Sequence, residues 1–403
     1  MELKNIYLLK IIPIMPYDII FDILLILSSS ILFGEVFEQF HLPGIAGQLL
    51  SGLVIGPTIL NILSYNGALN GLASISIFFI VFLIGLEMKT EIIKKNLKKA
   101  LLLSITSFIL PMLLMLVLLV FVLGYSAPDV FIISLAVSIP SISIISVIVK
   151  KYDMLKTEIG KVILSSVIIS DILAFILLSG ESGNAGYMGS LLFYLLTFFV
   201  IYFGVDYLLN KDLPFARNML KRFLPVFKSD HISYGILIIF GLVISLFFNQ
   251  IGLSYIIGAF FAGLIIHEGI LGKRFFGKIS HTFNRINDSF FIPMFFGIAG
   301  VEAVISYSYL PELVRIAIPA AISFAAAYLA SYFLFNVVLS NGKFAYTGKR
   351  IAGIVMGRGA VGIAIAVAAL SKGLISTEVY SMIIVLSVAI SILAGILLRD
   401  SKK

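Results

Sequence analysis

The sequence predicts an all-α membrane protein of about thirteen transmembrane helices, and three observations carry that reading. Of its 403 residues, 60% are hydrophobic and only 12% are charged, where a soluble domain has roughly 45–50% and 25%. Apolar runs of about 20 residues, enough to cross a hydrocarbon core, recur along almost the whole chain. The basic residues fall in alternate connections between those runs, as the positive-inside rule expects of loops facing the cytoplasm. With a mean hydropathy of +1.11, lipid is the solvent that can cover this much apolar surface.

Taken in order, the spans are predicted at residues 17–38, 44–63, 70–88, 99–123, 129–149, 161–180, 188–209, 232–249, 252–268, 286–307, 314–338, 350–371 and 378–398. The first run continues into a full span and does not stop at a small-residue cleavage site, so no removable signal is expected. Lysine and arginine cluster at Lys89–Lys99, Lys150–Lys161, Lys211–Lys228, Lys273–Arg285, Lys343–Arg350 and Arg399–Lys403, while the other side has Lys4, Lys10 and Lys372. That asymmetry puts the C-terminus in the cytoplasm and, with an odd number of spans, the N-terminus outside. The net charge of +8 therefore reflects topology, and no nucleic-acid module is readable. There is no cysteine, which excludes disulfides, thiolate metal sites and cysteine nucleophiles. The four histidines show no paired metal spacing.

Thirteen spans suggest a single transmembrane domain, residues 1–403, built as six helices, one and six. Repeat one covers about 17–180, a linker helix about 188–209, and repeat two, inverted, about 232–398. Helix five carries Ser138-Ile139-Pro140-Ser141-Ile142-Ser143, and helix twelve carries Gly353, Gly357, Gly359 and Gly362 around Arg358. Each is the fifth helix of its half, and each is interrupted by residues that weaken helical hydrogen bonding. Paired interruptions point to an ion site near the bilayer midplane, between discontinuous helices 5 and 12.

Asp171 is the sharpest chemical signal. It sits mid-helix in Ser165-Ser166-Val167-Ile168-Ile169-Ser170-Asp171-Ile172-Leu173, where a carboxylate costs about 2.5–3.5 kcal/mol on insertion scales. Exclusion from water favours its protonated form, and as a carboxylate it is a hard oxygen ligand for Na⁺ or K⁺. Bound proton and bound cation exclude each other, which is most of what an antiporter needs. Arg358 is the second intramembrane charge, and it cannot neutralise itself by losing a proton. Two roles fit it: a clamp on carbonyls freed by the helix breaks, or electrostatic tuning of Asp171. Glu87, in Gly85-Leu86-Glu87-Met88-Lys89, is either a solvated helix end or a cation attractor at the entrance. Ser138, Ser141 and Ser143 are candidate oxygen ligands opposite Asp171, and equally fit as small packing residues. Asp18, Asp22, Asp206, His267 and Glu302 lie near helix ends, and Asn284, Asn287 and Asp288 are expected to cap the start of helix ten.

These stretches together resemble the monovalent cation:proton antiporter superfamily, and within it the Kef-type and bacterial–archaeal Na⁺/H⁺ exchanger branch. The resemblance rests on Leu42-Pro43-Gly44 through Gly56-Pro57, on Phe82-Leu83-Ile84-Gly85-Leu86-Glu87, and on Thr157-Glu158-Ile159-Gly160 ahead of the aspartate helix. It continues through Ser254–Gly263, Phe291–Phe296 and the pair Arg358-Gly359. It implies an elevator-like mechanism, with helices four to six and eleven to thirteen as a moving bundle on a scaffold, and a homodimer. It implies Ser170 as a companion of Asp171, since relatives place Asp, Asn or Gln before the aspartate where this chain has Ser170. Other departures are Ile142 in place of a threonine, Ala360 where many relatives have glutamate, and no lysine within helix eleven. The nucleotide-binding regulatory domain of Kef-type proteins has no counterpart in these residues.

The expected function is exchange of a monovalent cation, Na⁺ first, for protons at the cell membrane, with Asp171 the cation and proton site. K⁺/H⁺ exchange and sodium-coupled symport of an organic anion remain open, as does an ion channel. A non-transport sensor has less support, and an enzyme least, because no second titratable group or metal-ligand pair accompanies Asp171. The partners expected are the lipid bilayer, the transported ions and a second copy of the chain. No cofactor is expected beyond the transported Na⁺ or K⁺.

Overall fold

A computed structural model of the chain describes residues 19–40, 42–87, 90–125, 127–141, 145, 149, 154, 157–180, 230–250, 255–266, 273–339, 345–358 and 360–399. In chain order the helices are α1 (Ile19–Gln39), α2 (Gly44–Ile55), α3 (Gly67–Glu87), α4 (Thr90–Ser104), α5 (Leu110–Val117), α6 (Ala127–Ser138) and α7 (Glu158–Gly180). Then follow α8 (Asp230–Gln250), α9 (Tyr255–Ile265), α10 (Lys273–Ile286), α11 (Ile292–Glu302), α12 (Leu310–Phe333), α13 (Ala345–Ile354), α14 (Ala360–Ser371) and α15 (Thr377–Arg399). The described residues contain no β-strand, only an isolated antiparallel bridge between Pro140 and Arg358. Among them five helical stretches are long and apolar enough to cross a membrane: Ile19–Gln39, Gly67–Leu86, Leu97–Val122, Leu310–Asn336 and Thr377–Ala394. The predicted linker helix 188–209, and with it Asp206, lies outside the described residues, as do Asp18 and His267.

The helices depart from the hydropathy reading where a local residue overrides it. α2 stops at Ile55, short of the expected residue 63, because Gly56 turns extended (φ −75°, ψ −173°) ahead of Pro57, as a residue before proline tends to. The fourth span is not one regular helix. Ser104 leads through a π turn, Ile105–Ile109, into α5, and a second π turn, Leu118–Val122, closes it. At the tenth span Asn284, Asn287 and Asp288 do not start a helix. α10 already runs from Lys273 and passes through a π turn at Asn287–Phe291 into α11. A search for 20 apolar residues cannot see α10, because only one of its faces is apolar. That face buries Ile279 and Phe283, and Phe283 stacks on Phe79 at 6.3 Å between ring centroids.

Small residues allow the tightest helix contacts, as expected where lipid offers no hydrophobic drive between helices. A Cβ at Gly52 on α2 would run into the Gly297 carbonyl and the Gly300 backbone of α11. At the breaks the fit is closer in meaning. α6 ends at Ser138, and Pro140, having no N–H, leaves the Ala136 carbonyl without its helical donor. Gly362 of α14 lies against that carbonyl, with no room for a side chain. Ile139, Pro140 and Ser141 run non-helically beside Gly357 and Arg358, and the Ser141 N–H donates to the Gly357 carbonyl at 2.8 Å. The Gly357 carbonyl thus gains a donor from the other broken helix, while the Ala136 carbonyl gains only a close-packed glycine. Gly362→Val should disrupt this contact and destabilise the protein by about 1–3 kcal/mol, as overpacking does. A lower melting temperature in detergent is the expected reading, and a wild-type value would show that α6 and α14 can part without cost.

At the end of the molecule that carries the 56–66 loop, Thr58 Oγ1 donates to the Ala303 carbonyl at 2.9 Å and accepts from the Ile305 N–H at 3.1 Å. The Val304 N–H donates to Ser381 Oγ at 2.9 Å, and the Tyr380 hydroxyl donates to the Ala299 carbonyl at 3.0 Å. These bonds tie α2, α11 and α15 together. Burial beside the Glu302 carboxylate pushes the Tyr65 phenol well above its ordinary range.

Candidate functional site

Asp171 lies near the middle of the 23-residue α7, with no exposed surface. Neither carboxylate oxygen has a hydrogen-bond partner among the described residues. Buried polar atoms are nearly always paired, and a buried carboxylate left unpaired is costly. Among the described residues Asp171 is the carboxylate with both oxygens in that condition. Helix α7 packs on α4 and touches both α6 and α14, the helices that flank the breaks.

Arg358 stands at the crossing itself and is buried. Its Nη1 donates to the Val355 carbonyl at 3.0 Å and its Nη2 to the Ser107 carbonyl at 2.9 Å. Both acceptors are carbonyls that helix geometry leaves over. Val355 is at the C-terminal end of α13, where the last carbonyls lack intrahelical donors and a cation is favoured by the helix dipole. Ser107 is in the first π turn of the fourth span. Its α-helical donor would be the N–H of Pro111, which proline does not have. The Arg358 carbonyl in turn accepts from Ser391 Oγ of α15 at 2.6 Å. One guanidinium thus bonds both the end of α13 and the fourth span, the contacts a clamp would use. Among the described residues it makes no ion pair.

Ser170 makes no hydrogen bond to the carboxylate. Its hydroxyl donates to the Ser166 carbonyl at 2.9 Å and meets Ser104 Oγ of α4 at 2.9 Å. Ser138 is the last residue of α6, and Ser141 lies in the break. Both are buried. Ser143 lies outside the described residues, as does the side chain of Glu87, the last residue of α3.

A chain with a buried, unpartnered aspartate beside two interrupted and paired helices has clear relatives. The family model described as sodium/hydrogen exchanger, transmembrane, matches residues 23–400. The chain belongs to this family. It is a multi-pass membrane protein of a transporter family, not of an enzyme family. It is 28% identical over 386 residues to the protein named Probable Na(+)/H(+) antiporter 3 of Methanocaldococcus jannaschii, covering 93% of this chain and 94% of that one. It is 26% identical over 298 residues to the Na(+)/H(+)-K(+) antiporter GerN of Bacillus cereus, covering 72% of each chain. In fold it matches the structure of the sodium proton antiporter MjNhaP1 from M. jannaschii with a TM-score of 0.61 at 18% identity, over 94% of this chain and 95% of that one.

Within this exchanger-family fold, sequence reasoning missed the polar turn of the fourth span. Ser104, Thr106 and Ser107 interrupt an apolar run just ahead of Pro111. That pattern, hydroxyls followed by a proline inside a span, was the available signal. The turn contacts three different elements. Ser104 reaches α7, the Ser107 carbonyl takes Arg358, and Thr106 Oγ1 accepts from Ser331 Oγ of α12 at 3.2 Å.

Proposed function

We propose that this chain is a secondary antiporter that exchanges a monovalent cation, Na⁺ first, for protons across a cell membrane, with Asp171 as the group that takes either. The single observation that carries the proposal is the fully buried Asp171 carboxylate with both oxygens unpartnered. A proton satisfies that group by neutralising it, and a hard cation by coordinating to it. Because one excludes the other, each is released as the other arrives. Family membership and the names of the relatives support the reading. K⁺ is the second cation, favoured by the B. cereus relative, whose name includes K⁺.

The mechanism we propose is elevator-like. Helices α4–α7 and α12–α15 carry Asp171 past a scaffold made of the rest, and Ser138, Ser141 and Ser143 offer oxygens beside the carboxylate. The Pro140–Arg358 pairing and the Arg358 clamp support a bundle that moves as one body. The breaks in α6 and between α13 and α14 support two inverted repeats, 17–180 and 232–398, about a linker at 188–209. The chain works as a homodimer with its C-terminus in the cytoplasm, and Glu87 draws cations to the inner entrance.

The test is proton flux from proteoliposomes on addition of Na⁺, K⁺ or Li⁺. Flux that follows one or more of these cations is expected, and its absence with all three would sink the proposal. Transport is expected to be electroneutral, one proton for one cation. Asp171 crosses with one or the other bound, so the moving body carries the same net charge in both directions. Each net charge moved would couple to voltage at about 2.3 kcal/mol per 100 mV. Exchange measured at several clamped voltages should therefore reach the same final ion gradient, and a gradient that shifts with voltage would overturn the one-for-one assignment.

A further inference from the structure

We propose that the polar turn Ser104–Ser107 positions the ion site, with Ser104 setting the rotation at which α7 presents Asp171. The inference rests on the reading of Asp171 as the exchange site.

The hydrogen bonds settle which atom gives and which receives. A serine hydroxyl has one proton. That of Ser170 goes to the Ser166 carbonyl at 2.9 Å, so in the 2.9 Å pair between Ser104 and Ser170 the donor is Ser104. Ser170 is thereby held from two sides, by its own helix and by α4. Ser104, Ser166 and Ser170 have no exposed surface, so water does not compete for these bonds. An α-helix turns about 100° per residue. With Ser170 pinned towards α4, Asp171 is carried about 100° round to a different face of α7. Any rotation of α7 moves the carboxylate by the same angle.

The post to which α7 is pinned is itself braced. The residue after Ser104 begins the π turn, a geometry often found at functional sites. Two residues further on, the Ser107 carbonyl receives Arg358 at 2.9 Å, and between them Thr106 is tied to Ser331 of α12. One turn therefore fixes Asp171 relative to both the crossing and the neighbouring helix. A regular helix would give these side chains a different spacing, and a residue other than Pro111 would have used the Ser107 carbonyl. Ser104 acts through Ser170 and the backbone of α7, and is a positioning residue.

The experiment compares wild type, Ser104→Ala, Ser104→Thr, Ser170→Ala, the double variant Ser104→Ala/Ser170→Ala, and Asp171→Asn in proteoliposomes. Na⁺-dependent proton flux is read over a Na⁺ titration at several pH values. Loss of one buried hydrogen bond that orients the ligand should raise the apparent KM for Na⁺ in Ser104→Ala by about fivefold and move the pH profile with it. The maximal rate should change less. Ser104→Thr, which keeps the hydroxyl, should restore the wild-type KM, and the double variant should be no worse than either single one, because the two residues make one bond. Should Ser104→Ala not assemble, Ser104→Thr and Ser104→Val, nearly equal in shape, carry the same comparison. A wild-type KM and pH profile in Ser104→Ala, or two single effects that simply add, would overturn the inference while a silent Asp171→Asn leaves the site intact. Exchange by Asp171→Asn would remove the site and this inference together.

Discussion

Asp171→Asn is expected to bring cation-dependent proton flux down to the level of protein-free vesicles while leaving the protein folded. The amide keeps the size and shape of the carboxylate but neither takes up a proton near neutral pH nor brings a charge to a cation. The structure adds an expectation for stability. The native carboxyl group is buried with both oxygens unpartnered, so a neutral amide in its place breaks no ion pair and, whenever the carboxyl is ionised, removes a desolvation cost. The melting temperature in detergent should therefore be equal to the wild-type value or higher. Substantial Na⁺- or K⁺-driven flux from a correctly folded variant would move the site elsewhere. A large loss of stability would show that Asp171 has a structural partner after all.

The second large effect is expected at Arg358. Arg358→Ala leaves the Val355 and Ser107 carbonyls without the donors they have at 3.0 and 2.9 Å, and removes one of the largest fully buried side chains. Hydrogen bonds to a charged group contribute about 1.5–3 kcal/mol each, so a loss of about 3 kcal/mol or more is expected, partly offset by no longer burying a charge. Arg358→Lys should recover only part of this. An ammonium is a point charge on a flexible stem, where the guanidinium is a planar fork that spans two carbonyls on separate segments. Thermal melts of the three proteins in detergent check the order: wild type, then lysine, then alanine. A wild-type melting temperature for Arg358→Ala, together with an unchanged dependence of activity on pH, would exclude both the clamp and any tuning of Asp171.

Much of this arrangement was legible in the residues, because membrane insertion leaves few alternatives. Asp171 stood out because a charge within a span is costly wherever it points. The breaks at Pro140 and around Gly357 stood out because proline removes a donor and glycine weakens a helix whatever surrounds them. The role of Arg358 was legible only as a choice between two. Its side chain could reach a carboxylate or a carbonyl, and the choice depends on which group the fold brings within 3 Å. Ser170 was read as a companion of Asp171 because the resembling family places Asp, Asn or Gln at that position. On a helix, adjacent residues face directions about 100° apart, and this one faces Ser104.

Composition, the spacing of apolar runs and the placement of basic residues determined by themselves that the chain is helical, crosses a membrane many times and carries one deep acid. These are properties of single segments in lipid, where every backbone group must be paired within a helix and every charge has a cost. Tertiary structure decided the rest. It put the Ala136 carbonyl against Gly362, the Ser141 N–H on the Gly357 carbonyl, Arg358 on the carbonyl freed by Pro111, and Ser104 on Ser170. Each of those contacts joins groups that local helix geometry leaves unpaired or free to rotate. The partner that satisfies such a group can come from any helix, so only packing selects it.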